Sequence, residues 1–307
     1  MSLMLILYPV SIIALLIPWI ILLMVVQNLT AVIIFMCYLF RLFSIKPLLT
    51  WIGDVLYLYF KDSIDRIKLN IRETFPVSGN MTNTKQAIYL LHPHGIFSLT
   101  HAFHINTDMT NWPYRNVRSV VHTILKWIPF AADIFLNYTK MVDSEYPSMK
   151  KTLEEGESIF VCLGGISESR YTEKNRITAV VQKRVGVFKM AIETGIPIIP
   201  VISYGEQGMF ETLNTGGILE SLPKIPFIDV LVPTLPTLSS VWEWMSIYKK
   251  PLDKKIHTHI GQLIDVGEAR TPTSTEIEAL RERYITALKT LYKETRPTDY
   301  EEEIVIV

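Results

Sequence analysis

The sequence predicts an α/β domain with a mixed, partly parallel sheet flanked by helices, preceded by an N-terminal membrane-embedded helical hairpin. Three observations predict it. No Asp, Glu, Lys or Arg occurs before Arg41, although the 307 residues hold 30 acidic and 30 basic ones. Apolar runs at 87–91, 158–163 and 196–202 have strand length. Segments with apolar residues at helical spacing lie among them, and strands alternating with helices imply a sheet that is at least partly parallel.

The uncharged leader comes first. Its run at 3–26 would span roughly 36 Å as a helix, enough for a hydrocarbon core of about 30 Å. Gln27 and Asn28 break it, and a second run at 29–43 ends beside Arg41, Lys46 and Pro47. A hairpin that enters and leaves on one face fits both runs; a single span followed by an interfacial helix is the alternative. The basic residues that follow place the globular part in the cytosol. A cleaved secretory signal is disfavoured, because no basic residue precedes the apolar run. The chain divides into a hairpin at 1–46, an amphipathic interfacial connector at 47–86 and a globular catalytic domain at 87–307.

Within that domain, 87–91 reads as a buried strand and 117–121 as a weaker one. A helix is expected over 144–156, then a strand at 158–163, a helix over 185–194 stopped by Gly195, and a strand at 196–202. Residues 223–236 hold four prolines among apolar side chains and read as an extended loop, with Trp242 and Trp244 close behind. A second membrane contact there is the sharper reading, since Trp favours the interface. A polar strand at 255–265 and a final helix over 273–296, with Ser274 or Thr275 as N-cap, complete the pattern. The acidic-then-apolar stretch 299–307 carries no evident signal.

Composition excludes several functions. A net charge of zero argues against nucleic acid as a partner held by overall charge, and Cys37 and Cys162 are too few for a disulfide framework. Apolar content of 49% is too high for a disordered chain.

Chemistry concentrates at two turns. His92-Pro93-His94-Gly95 follows a strand directly, so both rings sit at the sheet's carboxyl end, where open α/β sheets form sites. Histidine suits general-base catalysis because its ordinary pKa lies near neutrality. Pro93 fixes φ between the rings and Gly95 permits a tight turn. Gly164-Gly165-Ile166-Ser167-Glu168-Ser169 also follows a strand: its glycines free backbone N–H groups for an oxyanion or phosphate, and Glu168 could orient an imidazole. Between 169 and 190, six basic residues including Arg170, Arg184 and Lys189 face one acid, Glu173, which suits the phosphates of a cofactor. His101 and His104 fall on the helix after the histidine turn, His122 follows a strand, and His257 and His259 share a strand face as a solvent-facing pair. No G-x-S-x-G elbow surrounds Ser98, Ser167 or Ser203.

With these residues in place, the chain resembles the type-2 acyl-CoA:diacylglycerol acyltransferase family, which includes monoacylglycerol and wax-alcohol acyltransferases. Four ordered blocks carry the likeness: YLLHPHG at 89–95, GGISES at 164–169, RVGVFKMAIETGIPIIPVISYGE at 184–206 and the stretch 260–292. Val185 stands where the family usually has lysine, and the last block lacks the usual proline-rich start. The resemblance implies a glycerolipid acyltransferase-like sheet domain, a His92–Gly95 active-site motif and Glu168 as supporting acid. It also implies an acyl-CoA contact at Arg184, Gly186 and Lys189, beside Arg170.

The implied reaction is acyl transfer from acyl-CoA as co-substrate to a neutral-lipid alcohol such as diacylglycerol. It needs no resident cofactor or metal and no acyl-enzyme. His94 is the preferred base, polarised by Glu168, with His92 the alternative, and the Gly164-Gly165 turn is expected to meet the oxyanion. The bilayer is a partner, a homo-oligomer is allowed, and the endoplasmic reticulum or lipid-droplet surface is the expected location in a eukaryotic host. Two other classes compete: a metal-dependent hydrolase using the H-x-H pair and an inactive membrane lipid-binding protein. A phospholipid-directed H-x-x-x-x-D acyltransferase is disfavoured because Phe97 and Leu99 stand where its aspartate would be.

Overall fold

The structure is a computed structural model, and it describes residues 58, 61–79, 86–106, 117–123, 141–212 and 236–307. The hairpin expected at 1–46 lies outside the described residues, as do 223–235 of the proline-rich stretch. Among the described residues, no helix is long and apolar enough to cross a membrane.

The elements in chain order are α1 (Lys61–Thr74), β1 (Val77–Gly79), β2 (Ile88–His92), α2 (Leu99–Asn106), β3 (Val117–Val121), β4 (Val142–Asp143), α3 (Tyr146–Glu154) and β5 (Ser158–Cys162). A 3-10 turn (Gly165–Tyr171) follows, then β6 (Thr178–Ala179), α4 (Gly186–Thr194), β7 (Ile198–Tyr204), α5 (Leu238–Met245), β8 (His257–Ile260), α6 (Ser274–Thr295) and β9 (Val305–Ile306).

Seven strands form one sheet in the order β1-β8-β7-β2-β5-β3-β4, and every pairing in it is parallel except β7 with β8. The mixed sheet expected from sequence is thus mostly parallel. β2 sits near its middle, between β7 and β5, and all five of its residues are buried. A strand covered on both faces must be apolar throughout, which is why 87–91 has no alternation.

Alternate residues of β2 serve different layers. Ile88 and Leu90 enter a core with Phe188 of α4 and Tyr284 and Leu288 of α6. Ala87, Tyr89 and Leu91 face the other way, onto Phe160, Ile199 and Val201. Each such aliphatic side chain contributes about 1.5–3 kcal/mol when fully buried. By the same alternation His92, the last residue of β2, faces the α4–α6 layer, its ring centroid 6.2 Å from that of Tyr284.

A further apolar cluster joins Ile67 and Ile71 of α1, Phe103 of α2 and Trp244 of α5. The connector expected over 47–86 therefore supplies, within its described residues, a packed helix and an edge strand. β1 is a strand that the connector's sequence does not announce, because Val77–Gly79 has no apolar pattern of its own and is held by pairing with β8. The polar strand expected over 255–265 shortens to β8.

Helix ends follow local chemistry. α4 stops at Gly195, whose φ of 67° suits glycine and where a Cβ would lie 2.8 Å from the Ala269 nitrogen. α6 starts from Thr273 rather than Ser274 or Thr275: Thr273 accepts from the Glu276 amide while the Glu276 carboxylate returns to the Thr273 amide.

Candidate active site

The carboxyl ends of β2, β5 and β7 lie side by side, and each is followed by a turn bearing a catalytic-type residue. β2 ends in His92 and leads through a cis His92–Pro93 peptide to His94. β5 leads through Gly164 into the 3-10 turn carrying Glu168. β7 leads through Gly205 to Glu206.

Glu168 is the hub. One carboxylate oxygen lies 2.5 Å from His92 Nδ1 and accepts from the Val180 amide at 2.9 Å, while the other accepts from the His94 amide at 2.9 Å. Both partners in the His92–Glu168 contact are shut off from solvent. With the proton on Nδ1 shared toward the carboxylate, His92 Nε2 keeps a lone pair, and it has no hydrogen-bond partner among the described residues. Glu168, expected to polarise His94, therefore grips the His92 ring and reaches His94 only through its backbone.

His94 is partly exposed, and its Nδ1 lies 2.9 Å from the Gly95 carbonyl, which it reaches as donor, leaving Nε2 as acceptor. Burial lowers its pKa, opposed by the Gly95 carbonyl and the Glu168 charge and assisted by His122, so the ring is neutral at pH 7. His101 on α2 donates Nε2–H to the Phe160 carbonyl at 2.7 Å and stacks on the Phe160 ring. Burial pulls its pKa down to about 4, and it serves structure.

The glycines are explained by what stands behind them. A Cβ on Gly164 would fall 2.1 Å from a Glu168 carboxylate oxygen, and one on Gly95 would fall 2.5 Å from Glu206 Cγ. Gly164 and Gly95 thus each make room for a buried carboxylate. Cys162 lies 4.0 Å from Glu168, and burial pushes its thiol well above the ordinary range, so it is no thiolate nucleophile at neutral pH.

The expected phosphate contacts behave differently from one another. Arg184 donates to the Gly164 carbonyl at 2.5 Å and to Ser167 Oγ at 3.3 Å, bracing the turn from outside. Gly186 opens α4, Arg170 is exposed at the end of the 3-10 turn, and Lys189 lies 3.6 Å from Glu193 and over the Tyr146 ring. The Gly165 amide is directed at the Cys162 sulfur.

A family profile described as diacylglycerol acyltransferase matches residues 59–305. The chain belongs to the diacylglycerol acyltransferase family. It is an acyltransferase by family, which sets the metal-dependent hydrolase aside. Similar relatives are diacylglycerol O-acyltransferase 2 of Dictyostelium discoideum, 27% identical over 72% of this chain and 70% of that one, and human 2-acylglycerol O-acyltransferase 1, 25% identical over 80% and 74%. Human acyl-CoA wax alcohol acyltransferase 2 is 22% identical over 68% of this chain and 65% of its own. Among solved structures, the 1-acyl-sn-glycerophosphate acyltransferase PlsC of Thermotoga maritima is similar at a TM-score of 0.45 and 14% identity, over 84% of this chain and 95% of that one, too slight to carry an argument.

In this diacylglycerol acyltransferase family member the residue missed from sequence is Glu206. It is buried and accepts from the Leu99 and Thr100 amides at 2.7 and 3.0 Å and from the Thr100 hydroxyl, so it caps the helix that follows the histidine turn. Its signal was available: Tyr204-Gly205-Glu206 repeats the order of strand, glycine and carboxylate seen at 158–168.

Proposed function

We propose that the protein esterifies a lipid hydroxyl with the acyl group of acyl-CoA, forming triacylglycerol from diacylglycerol, with the Glu168–His92 pair as general base. The observation that carries the reading is the buried 2.5 Å contact between Glu168 and His92 Nδ1, opposite an Nε2 with no partner among the described residues. A carboxylate on Nδ1 fixes the tautomer that leaves Nε2 basic and stabilises the imidazolium once it forms.

Nε2 takes the acceptor hydroxyl proton as the oxygen attacks the thioester carbonyl carbon. The Gly164 amide faces the oxyanion, the carbon–sulfur bond breaks, and the imidazolium returns the proton to the departing thiolate. The transfer is direct, with no resident cofactor or metal.

The family match and the Dictyostelium relative support diacylglycerol as acceptor; monoacylglycerol and long-chain alcohols, after the other two relatives, are the alternatives. Anchoring by the 1–46 hairpin, with the catalytic domain on the cytosolic side at the endoplasmic reticulum or a lipid droplet, suits a water-insoluble acceptor. Arg170, Gly186 and Lys189 remain the groups proposed to meet acyl-CoA phosphates, whereas Arg184 holds the turn.

A second reading makes His94 the base, because its ring is partly exposed and its Nε2 faces away from the Gly95 bond. Labelled acyl-CoA supplied with diacylglycerol, monoacylglycerol or a long-chain alcohol tests both readings. Replacing the base by alanine should lower kcat by about 10²–10⁴-fold. If H92A keeps its rate while H94A does not, the assignment moves to His94.

A further inference from the structure

We propose that residues 300–307 form a clasp that positions both buried carboxylates of the site, Glu168 through β6 and Glu206 through the Gly205 turn. The inference rests on the reading of Glu168 and His92 as the general-base pair.

β6 is too short to hold itself, and β9 holds it. Val305 donates to the Ile177 carbonyl at 3.0 Å and Val307 to the Ala179 carbonyl at 2.9 Å. The Val181 and Gln182 amides donate to the Val307 carbonyl at 2.7 and 3.0 Å. Backbone groups of a strand alternate sides, so pinning the Ala179 carbonyl and the Val181 amide toward β9 turns the Val180 amide the opposite way. That amide is the one on Glu168, at 2.9 Å from the oxygen that also meets His92. Upstream, Glu301 donates to the Asn175 carbonyl at 3.0 Å, and its carboxylate lies 3.4 Å from Arg176 Nε, which fixes the start of the same segment.

The second arm is Tyr300. Its hydroxyl accepts from the Gly205 amide at 2.7 Å, and its ring lies edge-on to Tyr204 at 5.1 Å. Gly205 has a φ of 92°, and a Cβ there would meet the Lys255 carbonyl at 2.2 Å, so the turn lies close against the chain just before β8. The next residue is Glu206, which holds the amino end of α2. Tyr300 is itself held, its amide on the Pro297 carbonyl and its carbonyl on Arg296. One segment thus stands behind two turns and acts on the site through Glu168 and Glu206, which makes Tyr300 and Val305 positioning residues.

The test uses the full chain in membranes. Val305→Pro deletes one amide of the β9 pairing; Val305→Ile keeps it and should behave as wild type. Tyr300→Phe removes the acceptor for Gly205. We expect Val305→Pro and Tyr300→Phe each to lower kcat by up to about tenfold, the worth of one neutral hydrogen bond, with KM for acyl-CoA unchanged. For Val305→Pro, the altered contact between Glu168 and His92 should also displace the acid limb of kcat/KM from its wild-type position. Loss of activity in proportion to folded protein, with that limb in place, would mean a merely structural role and overturns the proposal. Wild-type kcat and an unmoved limb in both variants overturn it as well. A fully active E168Q sinks the base assignment itself, whereas an inactive E168Q beside a wild-type-like Val305→Pro sinks only the clasp.

Discussion

Gly164 and Gly165 are adjacent yet excluded from carrying a side chain for different reasons. At Gly164 φ is ordinary, −73°, and the obstacle is the Glu168 carboxylate 2.1 Å from a built Cβ. At Gly165 nothing lies within 4 Å and the obstacle is a φ of 57°. Gly165→Ala should therefore lose about 1–2 kcal/mol of stability and keep its activity. Gly164→Ala should lose about 1–3 kcal/mol and, by displacing the carboxylate, fall as far in acyl transfer as E168Q. Thermal melts beside an acyl-CoA assay of the pair would show whether sterics or backbone freedom sets each glycine. Glu206 offers a second measurement at this scale. Burial, which outweighs its hydrogen bonds from Thr100 and Leu99, raises its pKa from 4.5 to about 7. A raised carboxylate stabilises the fold fully below pH 4.5 and loses that contribution as pH climbs through 7, a span of roughly 3 kcal/mol. His101 slopes the other way: with its pKa lowered from 6.5 to about 4, it weakens the fold as pH falls through that window. The wild-type curve blends the two, so E206Q isolates one: the stability of wild type relative to E206Q should rise as pH drops from about 7 to about 4.5. A difference that stays flat across that window would contradict a buried, titrating Glu206.

Among the elements, those that bury a continuous apolar run were legible and those held only by a partner were not. β2, β5 and β7 were read from 87–91, 158–163 and 196–202, with ends one or two residues off because apolarity marks burial whereas strand ends are set by pairing. β1, β6 and β9 have two or three residues each and no pattern; β9 sits in a stretch from which sequence drew nothing. The site shows the same division. The histidine turn and Glu168 were visible because motif and strand adjoin, but which imidazole the carboxylate meets depends on β2 facing α6 with its even-numbered residues, a property of packing. Glu206 escaped notice because its partners, Leu99 and Thr100, lie more than a hundred residues earlier. α6 provides a check on element ends. Thr273→Ala removes the side-chain half of its capping box and should destabilise the fold by about 1 kcal/mol, seen as a lower melting temperature with kcat unchanged.

For the molecule as a whole, apolar surface is uneven. Leu238 and Trp242, one helical turn apart on α5, are 87% and 75% exposed, while Val241 and Trp244 of the same helix are buried against α1 and α2. A face of that kind favours a bilayer interface. Bound to vesicles containing brominated phospholipid, the wild-type chain should lose more tryptophan fluorescence than Trp242→Phe does; equal quenching would leave α5 in water. The order of synthesis adds a consequence in time. β6 is made roughly 125 residues before its partner β9, so at about 5–20 residues per second it waits on the order of 6–25 s for that strand. Throughout that interval β6 has no partner strand, and the Val180 amide has nothing to aim it at Glu168. Until β9 emerges and pairs, the nascent chain would thus hold Glu168 without the Val180 amide that the finished fold supplies.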